Sequence, residues 1–164
     1  MVAAVGSGQV DATIAIASMA KPLAASGQAH IIGWAGNIVP YQITAVFTTA
    51  RMVEQKPDLL RRFAQAYQRG VADYREAFLR LDPQGKPIID DKTDAVIPAI
   101  SKYVFTGDPN ARDKIISGVG YYDEGAALDV ADVIAQLKWF KAQDLVKGDA
   151  DPQSVIDTRF LPTR

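Results

Sequence analysis

Residues 8–16, with the sequence GQVDATIAI, decide the fold class that the sequence predicts. A glycine turn leads into a short apolar run, which predicts a buried strand over residues 11–16. Two similar runs follow at residues 30–35 (HIIGWA) and 43–48 (ITAVFT). Helix-like segments alternate with these runs, and this alternation predicts an α/β fold.

The predicted helices before residue 50 are short. Residues 1–7 are small and apolar enough to form the end of a helix, with Gly8 as its stop. A second helix is predicted from Ser18, as its N-cap, to Gly27, with Pro22 in its first turn. Each helix thus lies next to a predicted strand.

The chain after residue 50 is predicted to be essentially helical. Apolar side chains at spacings of three and four predict a long helix over residues 57–81. A second long helix is predicted over residues 128–143, capped by Asp129. Shorter helical segments are predicted at residues 90–104, at 110–118 and at the Asp151-Pro152 turn. Three strands followed only by helices do not make a balanced α/β domain, so part of a sheet is predicted to be missing.

Composition and charge exclude several classes of protein. Eighteen basic residues nearly balance nineteen acidic ones, so a nucleic-acid partner is not predicted. Cysteine is absent, which excludes thiolate metal sites and a cysteine nucleophile. The apolar runs are far shorter than the ~20 residues that span a bilayer. Residues 1–8 lack the basic segment and apolar core of a secretion signal, so no signal peptide is predicted.

The residues that most often carry catalysis or bind metals give little support for either. His30 is the only histidine, and a structural or surface role at the edge of a strand is favoured for it. Asp90 and Asp91 are predicted to cap a helix rather than to bind a metal. Gly118 and Gly120 lack the preceding strand and third glycine of a dinucleotide-binding loop. We therefore predict no metal, no cofactor and no catalytic residue.

Six side chains are candidates for binding a small ligand. Four of them combine apolar faces with hydrogen-bonding tips between the second and third predicted strands: Trp34, Asn37, Tyr41 and Gln42. Ser18 and Met19 follow the first predicted strand, at the carboxyl end where open α/β sheets bind ligands. The alternative is that Trp34 and Tyr41 are core or lobe-interface residues and that Ser18 only caps its helix.

Three strings occur along the chain in the order found in one family of transport proteins. They are AAVGSGQVDA at residues 3–12, RMVEQKP at residues 51–57, and GYYD at residues 120–123 before the last long helix. On these strings the chain resembles the C-terminal half of an ABC-transporter periplasmic substrate-binding protein. The resemblance is to the nitrate/sulfonate/taurine type, within the type II, thiamine-pyrimidine-precursor-like group.

This resemblance implies a truncated type II periplasmic-binding-protein fold. Residues 1–40 would be the C-terminal part of lobe two, and residues 41–164 a returning strand with the helical C-terminal part of lobe one. The stretch from Trp34 to Gln42 would be a hinge crossing beside the ligand cleft. The parent protein would be periplasmic, would capture a small and in some cases anionic molecule such as a sulfonate, nitrate or pyrimidine precursor, and would dock on an ABC permease.

Two other classes of function stay open. Relatives that synthesise the pyrimidine of thiamine are enzymes, but they depend on cysteine and histidine residues, and the absence of cysteine here counts against that activity. The second alternative is a self-associating module without ligand binding, whose exposed apolar faces pair with a second copy.

Overall fold

The computed structural model describes residues 2–39, 41–149 and 151–164. These residues contain seven α-helices and three short 3-10 turns. The helices are α1 (Val2–Gly6), α2 (Ala17–Ala25), α3 (Ala50–Gln55), α4 (Pro57–Phe78), α5 (Asp91–Ser101), α6 (Ala111–Ser117) and α7 (Val130–Ala142). The 3-10 turns are Ala35–Asn37, Glu124–Ala126 and Pro152–Ser154. Within the described ranges, no helix is both long and apolar enough to cross a membrane.

The chain divides into two compact units, each made from two separate segments. The first unit comprises the chain up to Ile38 together with Asp73–Tyr121. The second unit comprises Val39–Ala72 and Tyr122–Arg164. The division between Ala72 and Asp73 therefore falls inside the continuous helix α4. The predicted division at residue 40 into two lobes stays a prediction.

The predicted helices after residue 50 are confirmed, and their ends are set by local chemistry. Asp90 begins α5 with a capping box, in which its side chain and that of Thr93 accept hydrogen bonds from backbone N–H groups. Asp129 begins α7 by accepting from the N–H of Asp132 at 2.9 Å. The long helix α4 ends at Phe78, three residues earlier than predicted, because Leu81 leaves the helix to form an isolated antiparallel bridge with Pro87.

The best-buried part of the first unit lies where α4, α5 and α6 meet. Ala77, Phe78 and Ile115 are the buried apolar residues of this cluster. Partly buried side chains from all three helices pack around them, namely Tyr74, Val96, Ile97, Ile100 and Ile116. Thr93 is fully buried and donates its hydroxyl to the carbonyl of Ala77 at 2.7 Å, so its polar atom is satisfied.

The second unit buries fewer apolar residues than the first, and hydrogen bonds and ion pairs join several of its segments. Its buried apolar residues on α4 are Ala64 and Val71. The Gln68 amide donates to the carbonyl of Gly125 at 3.1 Å. Arg164 lies 3.3 Å from the carboxylates of both Asp123 and Asp129, which ties the C-terminus to the start of α7.

The three predicted strands are wrong as far as the described residues go. Residues 11–16, 30–35 and 43–48 are extended or irregular, and none forms a ladder with another segment. An apolar, β-branched run shows that a segment suits a pleated surface, but a strand also requires a neighbour to accept its backbone hydrogen bonds. No such neighbour lies beside these segments in the described chain. The described residues are therefore helical, and the sheet of the predicted α/β fold is not formed in them.

Because the three segments do not pair into a sheet, their apolar side chains are exposed to water. Ile14, Ile32 and Phe47 are 87%, 93% and 93% exposed. None of the described residues before Ala50 is buried. The apolar pattern that predicted a core thus marks unpaired segments instead.

Candidate functional site

An open groove of about 480 Å3 lies in the first unit beside the start of α2. It is lined by Val2, Ser18, Met19, Pro22, Leu23, Ser26 and Gln28. Ser18 and Met19 are the two of the six predicted ligand-binding residues that the structure places there.

The start of α2 leaves hydrogen-bonding groups available at the groove. The helix begins at Ala17, and its N-cap, Ile16, has no side-chain acceptor. The Ile16 carbonyl accepts from the N–H groups of Met19 and Ala20 at 2.9 and 3.0 Å. The N–H groups of Ala17 and Ser18 have no acceptor among the described residues. The prediction that Ser18 caps the helix is wrong, since the N-cap is Ile16, two residues earlier, and the Ser18 hydroxyl makes no hydrogen bond within the described chain.

The spacing of residues on α2 explains which of them reach the groove. Ser18, Pro22 and Ser26 are four residues apart, and so are Met19 and Leu23. Residues at this spacing share one face of a helix. Pro22 has no N–H, so the Ser18 carbonyl also lacks its usual partner four residues on. Sequence reasoning missed Pro22, Leu23 and Ser26 as lining residues, although the same spacing, taken from Ser18 and Met19, would have identified them.

Neighbouring elements of the first unit fix this end of α2. Gly118, at the end of α6, lies so close that a Cβ built on it would be 3.4 Å from the Cβ of Ser18. The side-chain oxygen of Gln28 lies 3.6 Å from the equivalent position on Gly6 of α1. The end of α6 thus lies against the start of α2, and the end of α1 lies against Gln28, just after α2.

The chemistry of the groove is apolar with a few neutral polar groups. Val2, Met19, Pro22 and Leu23 provide apolar surface, and none of the lining residues is charged. The Ser26 hydroxyl already donates to the Leu23 carbonyl at 3.0 Å. The free donors at the groove are thus the Ser18 hydroxyl, the Gln28 amide and the first N–H groups of α2. A small molecule with an apolar body and a hydrogen-bond acceptor or anionic group suits this arrangement.

The other four predicted site residues do not line the groove. Trp34 precedes the Ala35–Asn37 turn and is 38% exposed, and the Asn37 N–H donates to the Trp34 carbonyl at 3.0 Å. Both belong to the first unit. Tyr41 belongs to the second unit and is 52% exposed. The alternative interpretation of Trp34 and Tyr41 as core residues is not supported, because neither is buried.

Gln42 holds the chain against α7. Its backbone N–H donates to the Asp132 carboxylate at 2.6 Å, and its carbonyl accepts from the Gln136 amide at 3.0 Å. Its side-chain oxygen accepts from the Asp129 N–H at 3.2 Å, while its side-chain nitrogen donates to the Thr44 carbonyl at 2.6 Å. These contacts occupy the polar groups that were predicted to face a ligand. Gln42 therefore has a structural role within the second unit.

The acidic and histidine residues considered in the sequence fall outside the groove. Asp90 caps α5, as predicted, and also accepts from the Arg80 guanidinium at 2.6 and 2.7 Å. This hydrogen bond lowers the pKa of Asp90 below its usual value. His30 is exposed in an extended segment. Across residues 2–39, 41–149 and 151–164, no three His, Cys, Asp or Glu side chains are grouped so as to hold a metal ion.

Comparison with known proteins bears on the N-terminal part of the chain. Residues 1–77, just under half of its length, match the model of the family described as NMT1/THI5 like. That family includes ABC substrate-binding proteins and thiamine pyrimidine-synthesis proteins. The matched residues contain the whole lining of the groove and all six predicted site residues. No curated protein and no solved structure matches the chain significantly.

Proposed function

We propose that the chain is part of the substrate-binding component of an ABC import system. It captures a small molecule, such as a sulfonate, nitrate or a pyrimidine precursor, in the periplasm and delivers it to a membrane permease. The observation that carries this proposal is the set of free donors around Ser18, at the edge of an apolar groove, inside the residues that match the family.

The chemistry of the groove favours binding over catalysis. None of its lining side chains is a carboxylate, a histidine or a lysine, so it offers hydrogen bonds but no general acid or base. Its first-turn N–H groups lie at the positive end of the α2 dipole, where an anionic or acceptor group is stabilised. The apolar walls then contact the rest of the ligand. These features suit a receptor better than the pyrimidine-synthesising enzyme that is the alternative.

The affinity of the isolated chain follows from the open form of the groove. A ligand there is covered on one side and keeps much of its surface in water, whereas tight sites bury most of the ligand. We therefore expect dissociation constants in the millimolar range, or about −4 kcal/mol of binding free energy.

Calorimetric titration with a panel of sulfonates, nitrate and pyrimidines tests the proposal. We expect one chemical class to bind, and Ser18→Ala to weaken it by about 5- to 10-fold through loss of one hydrogen bond. Ser101→Ala is the matched control, because Ser101 also lies on a helix, bonds only to the Pro98 carbonyl and is outside the groove.

Three results would contradict the proposal. One is no binding of any member of the panel at about 10 mM, well above the expected dissociation constants. The second is equal weakening by Ser18→Ala and Ser101→Ala, which would place the ligand elsewhere. The third is consumption of a bound pyrimidine, followed by NMR, which would favour the enzyme.

A further inference from the structure

The start of α2 lacks the side-chain acceptor that N-cap residues usually supply. Ile16 has the extended backbone of an N-cap, with φ −71° and ψ 155°, but its aliphatic side chain accepts no hydrogen bond. The N–H of Ile16 also has no acceptor among the described residues. The helix therefore begins with donors that neither a cap nor a neighbouring described segment satisfies.

Met19 is the third residue of α2, the position from which a side chain can reach back to these donors. Its N–H donates to the Ile16 carbonyl at 2.9 Å, which closes the first turn of the helix. Long side chains on a helix point back toward its N-terminus. In a capping box, the side-chain oxygen of a glutamate or glutamine at the third position accepts from the N–H of the N-cap residue. Met19 occupies that position, but its thioether sulfur is only a weak acceptor.

Met19 is also more accessible to an oxidant than the other methionine that the structure describes. It is 52% exposed and lines the groove, whereas Met52 is partly buried in the second unit. When a peroxide transfers one oxygen atom to the sulfur, the O–O bond breaks, methionine is oxidised to its sulfoxide, and hydrogen peroxide is reduced to water. The new oxygen is bonded to the δ atom of the side chain, as the carboxylate oxygens of glutamate are. Oxidation therefore creates an acceptor at the place where a capping box has one.

We propose that Met19 is a redox-responsive residue, whose sulfoxide caps α2 and lowers the affinity of the groove for its ligand. The sulfoxide oxygen accepts from the Ile16 N–H, in the manner of the third residue of a capping box. It also makes an apolar wall polar, and it places a partly negative oxygen beside the free N–H groups of Ala17 and Ser18. The capping contact is independent of ligand binding, whereas the loss of affinity rests on the proposed function. Reduction of the sulfoxide restores the thioether and the open groove.

Treatment of the whole chain with hydrogen peroxide, followed by peptide mass spectrometry and NMR, tests the capping contact. We expect Met19 to form its sulfoxide at least about threefold faster than Met52, because it is more exposed. In the oxidised chain, the amide proton of Ile16 should move downfield and exchange more slowly with solvent. Met19→Gln has an oxygen at the matching position and should give the same change at Ile16 without oxidant. Met19→Leu is the matched control, since it keeps the other two methionines and forms no sulfoxide at residue 19.

Benzenesulfonate is the probe for the effect on binding, because it joins an apolar ring to an anionic group. With methionines labelled at the methyl carbon, about 10 mM benzenesulfonate should shift the Met19 signal of the unoxidised chain and leave that of Met52 in place. Oxidation should weaken the binding by at least about fivefold, as followed by the amide signals of α2. The same treatment of Met19→Leu should leave the affinity of that variant as it was before treatment.

The possible failures of this inference can be told apart. An Ile16 amide that is unchanged when Met19 is fully oxidised would overturn the capping contact. An equal change in oxidised Met19→Leu would do the same, because it would assign the effect to another methionine. An oxidised chain that binds benzenesulfonate as tightly as before would overturn the loss of affinity. If the unoxidised chain does not bind benzenesulfonate, the proposed function fails for sulfonates, and a change at the Ile16 amide would still support the cap.

Discussion

The segment Asp73–Tyr121 and the first fifty residues contain similar apolar side chains but use them differently. The later segment buries Ala77, Phe78 and Ile115, whereas no described residue before Ala50 is buried. A helix satisfies its own backbone hydrogen bonds, so α4, α5 and α6 need only to pack one face. An extended segment must find a partner for its backbone before its side chains can form a core. An apolar sequence pattern therefore does not by itself lead to burial of the side chains.

Truncating the buried side chain of Ile115 should have the largest effect on the free energy of unfolding. Ile115 is 7% exposed and Ile32 is 93% exposed. We expect Ile115→Ala to lower the free energy of unfolding by about 2–5 kcal/mol, through lost burial and a residual cavity. The same substitution at Ile32 should change it by less than about 0.5 kcal/mol. Urea denaturation, followed by circular dichroism at low protein concentration, measures the unfolding free energy of both variants. Similar losses at the two positions would show that the two regions do not differ in how far apolar side chains stabilise the fold.

A smaller effect is expected from the buried hydroxyl that joins α5 to α4. Thr93→Val keeps the shape of the side chain but removes two hydrogen bonds, the one to the Ala77 carbonyl in the last turn of α4 and the weaker capping-box bond from the Asp90 N–H. Leaving that buried carbonyl without its donor should cost about 1–3 kcal/mol of unfolding free energy. Thr106→Val is the control, because the Thr106 hydroxyl donates to the Lys102 carbonyl at 3.1 Å in an exposed position. An equal loss of unfolding free energy in both variants would show that the buried Thr93 hydrogen bond contributes no more to stability than the exposed one of Thr106.

The parts of the fold that sequence could predict are those with local signals. Asp90 and Asp129 mark the starts of α5 and α7 within a few residues of the groups they bond. The strands were not predictable in this way, because pairing depends on segments distant in the chain. The apolar pattern of residues 43–48 is genuine, yet it contains no information about what lies beside it.

The residues of the candidate site also differ in whether local sequence signals or distant contacts determine their position. Ser18 and Met19 line the groove because both lie in the first turn of α2, and their role in binding a ligand stays a prediction. Gln42 was predicted to face a ligand, but in the structure it bonds to Asp129 and Asp132, which are 87 and 90 residues away, and no local pattern reveals such contacts. The N-cap of α2 lies two residues before the predicted one, so Ser18 is a free donor in the first turn of the helix and not its cap.

The smallest expected effect concerns the charge at the start of α5. Asp90→Asn keeps a good N-cap, since asparagine caps as well as aspartate, but removes the negative partner of Arg80. Asp91→Asn is the control, because Asp91 has no ion pair among the described residues. Glu76, 3.8 Å from Arg80, is paired with Lys92, and both are present in every variant, so their contribution cancels.

The pH dependence of this variant has a definite sign. The Arg80 hydrogen bond lowers the pKa of Asp90 in the folded chain, so the folded state binds the proton less well than the unfolded state. The pair therefore stabilises the fold above the ordinary aspartate pKa of about 4, and this contribution is lost as the pH falls through the lowered value. At pH 7 we expect Asp90→Asn to lower the melting temperature by at most a few degrees, because the pair is partly exposed. The difference from the unmodified chain should shrink steadily between about pH 5 and pH 2, while that of Asp91→Asn should not follow this course. A difference that stays constant down to pH 2 would show that Asp90 acts through its cap geometry alone, and that the charge of this pair does not contribute to the stability of the best-buried region.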